Sequence, residues 1–334
     1  MALFRIFGAG EWGLAVANHL SIQNNLVEIY LRDTDKVDSY KTKKIHKNLD
    51  IKFGENISFF NLSRVSEISN DPNTINIIAT SSSGFLNIIK DNLNYFKKSQ
   101  SVTWLTKGLD HSSGSLFHQV LDELLLDKID KCIISGPSFA IDLVNKKNIK
   151  VSIASTDDLL TEVFVNAMNT DYFTLLPTHD LIGVEVSGVL KNISAILAGS
   201  LTANEFPDEY VHELISISQQ EVYRISKLIM ATSHGYEVSD SEMKKTLNSP
   251  ACLGDLELTC FYNTSRNRQL GLKLARDCNI KKLLSKIGTV EGYLSTETLF
   301  KNKEIYSESK IIKSAYEILY NHIEPRKILE GLYN

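Results

Sequence analysis

The sequence is poor in the features that mark secreted, metal-binding and nucleic-acid-binding proteins. Its four cysteines form no C-x-x-C pair, so we expect reduced thiols in a cytoplasmic protein rather than a disulfide framework. The eight histidines show no H-x-x-x-H or H-E-x-x-H spacing, so no metal site is predicted. With 36 basic and 40 acidic side chains, the net charge of −4 offers no basic surface to nucleic acid.

Long and purely apolar runs are also missing. The best candidate for a membrane span, residues 181–203, contains Glu185, Lys191 and several Gly and Ser residues, so we expect a buried core helix and no membrane span. The N-terminus, MALFRIFGAG, leads at once into a strand and a glycine turn, which is not the pattern of a signal peptide. No internal repeat or low-complexity linker is evident.

The first half of the chain alternates short apolar runs with amphipathic stretches. This pattern predicts an α/β fold with a doubly wound, mostly parallel sheet and helices on both faces. Strands are expected near 3–7, 27–31, 57–60, 75–79, 102–105, 132–134, 150–154 and 172–176. After Pro177 the sequence reads as successive helices. We therefore expect one domain at 1–180 and an all-helical substrate and catalytic domain at 181–334, with ligands in the cleft where the two pack.

Three glycines directly follow the first predicted strand. Gly8, Gly10 and Gly13 form G-A-G-E-W-G at the start of a helix. In this pattern the first glycine allows a tight turn, the second lets a pyrophosphate approach, and the third lets helix and strand pack closely. The position favours a Rossmann-like dinucleotide site over a purely structural turn. Trp12 either covers the dinucleotide or packs beneath the loop.

Arg32 and Asp33 stand side by side at the end of the second predicted strand. A carboxylate here suits the ribose 2′-hydroxyl of NAD, and a cation suits the 2′-phosphate of NADP. The alternative is a solvated turn. Because the chain offers both charges, the pair favours NADP or dual use of the two cofactors.

Two loops after later strands are candidates for ligand binding. Lys107 follows a strand whose carboxyl end should face the ligand crevice, although an ordinary surface lysine fits the segment equally well. Residues 135–140, S-G-P-S-F-A, offer N–H groups and a hydroxyl to a phosphorylated or hydroxylated ligand. An ordinary strand-to-helix turn is the alternative for this loop.

The densest polar cluster of the helical half is G-D-L-E-L-T-C at 254–260, followed by T-S-R-N-R at 264–268. Thr264 or Ser265 should cap a helix and place Arg266 and Asn267 in its first turn. A cation there opposes the helix dipole, and a bound anion removes the conflict. We therefore favour phosphate recognition over a plain helix cap.

Lys191 is the sole basic residue of the apolar run 181–203. A buried ammonium titrates nearer neutrality than a solvated one, which suits proton transfer. The alternative is a lysine with a buried stem whose head reaches water. Since the chain also lacks a G-x-S-x-G elbow, lysine-based chemistry with a dinucleotide is the consistent interpretation.

These segments, in this order, resemble the NAD(P)-dependent glycerol-3-phosphate dehydrogenases of bacteria. The matching stretches are GAGEWGLAVA (8–17), WLTKGLD (104–110), SGPSFA (135–140), GVEVSGVLKNISAILAG (183–199), GDLELTC (254–260), SRNRQLG (265–271) and VEG (290–292). The resemblance implies a reversible reduction of dihydroxyacetone phosphate to sn-glycerol 3-phosphate with NADP(H) or NAD(H), feeding glycerophospholipid synthesis. We expect a cytoplasmic protein. We also expect a homodimer, because homodimers are the commonest oligomers of soluble proteins.

The resemblance also implies roles for individual residues. Lys191 matches the family's proton donor and acceptor, Lys107 matches a lysine that contacts substrate and cofactor, and Asp255 should orient Lys191. The other expected substrate contacts are Gly136, Ser138, Asp255, Ser265, Arg266 and Asn267. The expected dinucleotide contacts are Gly8, Gly10, Glu11, Trp12, Gly13, Arg32, Lys107, Ala140, Arg266 and Glu291.

Three segments depart from the family pattern. Residues 79–82 read A-T-S-S without the proline of A-V-P-S, residues 209–218 replace N-T-K-A-A-L-I-T-R-G with E-Y-V-H-E-L-I-S-I-S, and residues 41–56 lack Leu-Pro-Gly. The first and third changes concern cofactor loops, and the second concerns an interdomain or oligomer surface. The rival hypotheses are a dehydrogenase for a 3-hydroxy acid or ketopantoate, and a catalytically silent NADP-binding protein.

Overall fold

The chain forms two compact units, described here from a computed structural model for residues 2–68, 71, 73–125, 129–276, 279–302 and 306–333. The first unit comprises Met1–Lys107 and His118–Leu181, and the second comprises Gly108–Phe117 and Ile182–Asn334. Residues 108–117 thus cluster with the second unit. The domain boundary expected from the sequence, near residue 180, would leave them in the first domain.

The first unit is built on a sheet of eight strands. The strands of the unit are β1 (Leu3–Phe7), β2 (Leu26–Leu31), β3 (Ile45–His46), β4 (Ile51–Lys52), β5 (Ile57–Asn61), β6 (Thr74–Ile78), β7 (Ser101–Trp104), β8 (Asp130–Ser135), β9 (Ile149–Ser155) and β10 (Phe173–Thr178). The large sheet has the order β10-β9-β8-β7-β6-β1-β2-β5, and β3 and β4 form a separate hairpin. All neighbouring strands of the large sheet are parallel except β8 and β9. The prediction of a mostly parallel sheet is confirmed.

Seven helices of the first unit connect these strands in the part of the chain described. They are α1 (Glu11–Ile22), α2 (Thr34–Lys43), α3 (Ser82–Asp91), α4 (Leu93–Phe96), α5 (Phe117–Leu125), α6 (Ala140–Val144) and α7 (Asp158–Met168). The central strand β1 is buried on both faces: Phe4 and Ile6 enter one apolar core, while Phe7 stacks on Tyr30 on the other side. Burial on both faces explains why β1 is almost continuously apolar.

β1 lies between β2 and β6, so the chain leaves β1 on one side and later returns to its other side. Connections that run in opposite directions from a strand open a crevice at its carboxyl end, where ligands bind in doubly wound folds. The glycine turn at residues 8–13 follows β1 at this end of the sheet. The topology therefore places the predicted dinucleotide motif at the switch point.

The second unit is helical in the residues described. Its helices are α8 (Leu181–Ala203, which starts at the unit boundary), α9 (Asp208–Thr232), α10 (Asp240–Leu247), α11 (Asp255–Phe261), α12 (Arg266–Leu274), α13 (Ile280–Ile287), α14 (Glu291–Lys301), α15 (Lys310–Leu319) and α16 (Pro325–Leu332), with a π-helical turn at Pro250–Gly254. Among the residues described, α8 alone is long and apolar enough to cross a membrane, and 94% of its most apolar window is buried. It is the core helix that the sequence predicts.

Candidate functional site

The glycine turn of the first unit is closely fitted to the end of β6. Gly8 has φ +117°, and its N–H donates to the carbonyl of Tyr30 at 2.9 Å. A Cβ on Gly8 would lie 2.4 Å from the carbonyl oxygen of Ala79. Both the backbone angle and the contact therefore require glycine at this position. Ala79 belongs to the segment that lacks the family's proline, yet its N–H still donates to Phe7 at 2.9 Å.

The start of α1 is open to an anion. Gly10 occupies the N-cap position and has no side chain with which to bond the first N–H groups of the helix. A Cβ on Gly10 would meet only the carbonyl oxygen of Ala79, at 4.0 Å, among the atoms described. Gly13, by contrast, is buried, and a Cβ there would lie 2.8 Å from Ala79 Cβ. An uncapped helix start with space above it fits the pyrophosphate of a dinucleotide. Next to it, Glu11 is exposed and Trp12 is half-buried.

Lys107 and the loop at 135–140 meet at the carboxyl ends of β7 and β8. Lys107 Nζ donates to the carbonyl of Gly136 at 2.7 Å, and Ser138 Oγ donates to the same oxygen at 3.1 Å. Ala140 begins α6 and is half-buried. The structure thus brings together three of the sequence-predicted ligand residues of the first unit, Lys107, Gly136 and Ser138.

The ammonium of Lys191 lies inside the second unit, beside a carboxylate. Lys191 Nζ is 2.9 Å from Asp255 Oδ1 and donates to Thr259 Oγ1 at 3.2 Å. The lysine side chain is 11% exposed and that of Asp255 is 1% exposed. Thr259 Oγ1 donates in turn to the carbonyl of Asp255 at 2.6 Å, which turns its lone pairs towards the ammonium. Two of the three ammonium hydrogens are therefore held in fixed directions.

The start of α12 combines an exposed cation with a buried amide. Ser265 is the N-cap and accepts the N–H of Arg268 at 3.3 Å, as predicted for a capping residue, and Arg266 is exposed. Asn267 is buried; its Nδ2 donates to Asn192 Oδ1 at 2.8 Å and its Oδ1 accepts the N–H of Gly292 at 2.9 Å. The side chain of Asn267 is thus engaged largely within the fold.

Glu291 is the first residue of α14 and has a histidine neighbour that the sequence did not indicate. Its Oε2 lies 3.4 Å from His111 Nε2, and Thr298 Oγ1 donates to the carbonyl of His111 at 3.4 Å. His111 belongs to residues 108–117, so this segment packs on α14. The sequence spacing of His111 and Glu291 gives no signal for this contact.

Thr259 and Asn192 were also missed as members of the site. Thr259 follows Asp255 by four residues, which places both side chains on one face of a helix and could have suggested a shared partner. Asn192 follows Lys191 directly and faces α12 instead of Asp255. Its contact depends on how α8 and α12 cross, which the sequence does not contain.

The fold and these residues define a class. A doubly wound sheet with an uncapped glycine turn at its switch point is a dinucleotide-binding domain, and the second unit adds a buried ammonium–carboxylate pair and an exposed arginine at a helix start. These features are those of a dinucleotide-dependent dehydrogenase.

Comparison with known proteins gives the family. Residues 4–161 match the model for the NAD-dependent glycerol-3-phosphate dehydrogenase N-terminus, and residues 180–330 match that for the C-terminus. The glycerol-3-phosphate dehydrogenase (NAD(P)+) of Francisella tularensis subsp. novicida is 30% identical over 98% of this chain and 96% of its own. The glycerol-3-phosphate dehydrogenase (NAD(P)+) of Vesicomyosocius okutanii is 30% identical over 98% of this chain and 95% of its own. A crystal structure of glycerol-3-phosphate dehydrogenase from Coxiella burnetii superposes with a TM-score of 0.86 at 25% identity, covering 100% of this chain and 99% of that one.

The chain belongs to the NAD-dependent glycerol-3-phosphate dehydrogenase family. It is therefore an oxidoreductase that acts on a CH–OH group with NAD or NADP. The resemblance inferred from the sequence motifs is confirmed, and so is the two-part architecture of a Rossmann-like sheet followed by helices.

Proposed function

We propose that this chain interconverts dihydroxyacetone phosphate and sn-glycerol 3-phosphate, with Lys191 as the proton donor and acceptor. The observation that carries the assignment is the pairing of Lys191 with Asp255 and Thr259, at 2.9 and 3.2 Å, inside an otherwise apolar helix core. The carboxylate and the threonine hydroxyl orient the ammonium. The third ammonium hydrogen remains for a substrate oxygen.

Lys191 performs the proton step at the substrate's C2 oxygen. When bound, the nicotinamide cofactor supplies the hydride for reduction and takes it up in oxidation. Lys191 Nζ protonates the C2 oxygen as the carbonyl is reduced, and in the reverse direction it accepts the hydroxyl proton. Asp255 and Thr259 hold the ammonium in place, so little reorganisation is needed when charge develops on the oxygen.

The substrate phosphate is bound at the start of α12. Arg266 supplies a guanidinium, and the first N–H groups of the helix and its dipole favour an anion. Asn267 fixes this turn through Asn192 and Gly292, and the second hydrogen of its Nδ2 contacts the phosphate. Lys107 positions the substrate oxygen, with Gly136 and Ser138 beside it. Ser265 contributes chiefly as the helix cap.

Most of the proposed cofactor contacts lie in the first unit, and Arg266 and Glu291 lie in the second. Gly8, Gly10 and Gly13 shape the pyrophosphate site, and the remaining cofactor contacts are Glu11, Trp12, Arg32, Lys107, Ala140, Arg266 and Glu291. The product supplies glycerophospholipid synthesis. Cys132, Cys252 and Cys260 are buried thiols, which supports a reducing, cytoplasmic setting, while Cys278 lies outside the described residues. A homodimer is the commonest assembly for such a chain.

The test is the rate of NADPH oxidation with dihydroxyacetone phosphate as substrate. Lys191→Ala should lower kcat by about 100- to 10,000-fold, because the developing alkoxide loses its proton donor, while NADPH affinity stays unchanged. Lys313→Ala, on an exposed position of α15, is the control and should behave as the wild type. Turnover of Lys191→Ala within about tenfold of the wild type would contradict the assignment.

A further inference from the structure

Arg268, in the first turn of α12, is a buried cation whose hydrogen-bond partners are neutral. The residue is 6% exposed, and Asp208, the carboxylate that acts on it electrostatically, forms no ion pair with it in the part of the chain described. Its Nε donates to Asn263 Oδ1 at 3.1 Å and its Nη2 donates to Thr202 Oγ1 at 3.1 Å, while Nη1 has no hydrogen-bond partner in the described part of the chain. Burial lowers the pKa of Arg268. Burying a cation beside neutral partners destabilises the fold. We therefore expect Arg268 to have a role other than stabilising the fold.

The two partners of the guanidinium lie on different elements. Thr202 is in the last turn of α8, and Asn263 lies in the loop between α11 and α12, two residues before the N-cap Ser265. The loop is exposed at Tyr262, Asn263 and Thr264, and Tyr262 is 60% exposed. The planar fork of Arg268 therefore ties the loop that starts α12 to the end of α8.

The rest of α12 is fixed to α8 by direct backbone contact. A Cβ on Gly199 of α8 would lie 2.2 Å from the carbonyl oxygen of Arg268, and a Cβ on Gly271 of α12 would lie 2.0 Å from that of Ile196. The two helices thus touch where both have glycine. Asn192 and Asn267 add a side-chain bond at the same interface. Arg268 extends this contact to the first turn and its loop.

We propose that Arg268 is a positioning residue for the substrate phosphate, which fixes Ser265 and Arg266 relative to Lys191 on α8. This inference rests on the proposed function, in which Arg266 binds that phosphate. One rigid frame then carries both the proton donor and the phosphate site. The distance between these two groups is fixed, so a substrate bound by its phosphate presents its C2 oxygen to Lys191. Arg268 itself does not touch the substrate.

The experiment separates KM for dihydroxyacetone phosphate from kcat and from NADPH affinity. Arg268→Lys keeps the charge but lacks the planar fork that holds Asn263 and Thr202 in fixed directions, so KM should rise about tenfold or more, with kcat within about threefold. The NADPH Kd should change by less than the KM, because Arg266 is one of several proposed cofactor contacts. Thr202→Val removes one of the two bonds with little change of shape and should raise KM about fivefold. Combined with Arg268→Lys, it should add little, because both changes break the same tie. The matched control is Arg276→Lys, an exposed arginine just after α12.

The outcomes are distinct. Unchanged KM in both Arg268→Lys and Thr202→Val would overturn the proposal, and so would a parallel loss of kcat, NADPH binding and thermal stability, which indicates a purely structural role. If Arg268→Lys does not fold, Thr202→Val and Asn263→Ala decide the question by the same measurements. Arg266→Ala tests the proposed function separately. If Arg266→Ala leaves KM unchanged, the proposed phosphate site itself is wrong. If Arg266→Ala raises KM while the Arg268 and Thr202 variants behave as the wild type, only the positioning role is refuted.

Discussion

The side chain of Asp33 caps the start of α2. Its Oδ1 accepts the N–H of Lys36 at 3.0 Å as the N-cap of α2, and its Oδ2 is 3.9 Å from the ammonium of the same lysine. Arg32 is exposed, and its guanidinium forms no ion pair with the residues that the structure describes. The carbonyl of Arg32 accepts from Asn61 Nδ2 at 3.2 Å, so the backbone at this point is tethered. Of these two side chains, that of Arg32 is the one available to the 2′ substituent of a cofactor ribose.

Arg32 should therefore make NADPH the better cofactor. Arg32→Ala should raise the KM for NADPH by about 10- to 100-fold, because charge-assisted bonds to the 2′-phosphate are lost, and change the KM for NADH by less than about threefold. Lys43→Ala, at an exposed position of the following helix α2, is the control. Equal effects of Arg32→Ala on both cofactors would show that the arginine does not read the 2′-phosphate.

At the scale of elements, a histidine joins α1 to the end of α7 and the start of β10. His19 Nε2 is 2.7 Å from the carbonyl of Met168, and His19 Nδ1 is 3.3 Å from the hydroxyl of Tyr172. Since a carbonyl only accepts, Nε2 carries the hydrogen and Nδ1 accepts from the tyrosine. Burial lowers the pKa of His19 below its ordinary value of 6.5, although the bond to Met168 works against the shift.

This histidine should make stability depend on pH. The unfolded chain binds a proton near pH 6.5, and the folded chain binds it only at lower pH, so stability is full above the unfolded value and falls as pH drops through it. His19→Gln should cost about 1–2 kcal/mol at pH 7.5 and lose less further stability at pH 5.5 than the wild type, as measured by thermal unfolding. Exposed His234→Gln serves as the control. An equal pH dependence in His19→Gln would contradict this account.

At the scale of the whole molecule, residues 108–117 belong to the helical unit although they interrupt the sheet-forming half of the sequence. Leu109 and Leu116 are 0% and 1% exposed and lie in the apolar core of the second unit. Between them, the carboxylate of Asp110 accepts from the hydroxyls of Ser112 and Ser113 at 2.6 and 2.7 Å, which closes the segment into a compact turn. Burial alone would raise the pKa of Asp110, but these bonds outweigh it and lower the pKa.

A fragment cut at residue 180 should therefore expose both leucines. We expect the fragment 1–180 to aggregate, and Leu109→Ser with Leu116→Ser to make it more soluble. In the full chain the same pair of substitutions should destabilise the fold by about 4 kcal/mol or more, because two core side chains are lost. Light scattering and thermal unfolding measure the two effects. A fragment that is equally soluble with and without the serines would refute the assignment of 108–117 to the second unit.

The sequence by itself determined the order of strands and helices, the glycine turn and the family, because these depend on local periodicity and on short motifs whose residues are adjacent in the chain. It also marked Lys191 as a charge in an apolar helix, but left open whether the head reached water. The sequence also led us to expect Asp255 beside Lys191, but tertiary structure alone added Thr259, more than 60 residues away from that ammonium. It also engaged Asn267 with Asn192 and placed residues 108–117 in the helical unit. Each of these depends on which helix faces cross, and the energy that decides such crossings comes from close packing between distant segments.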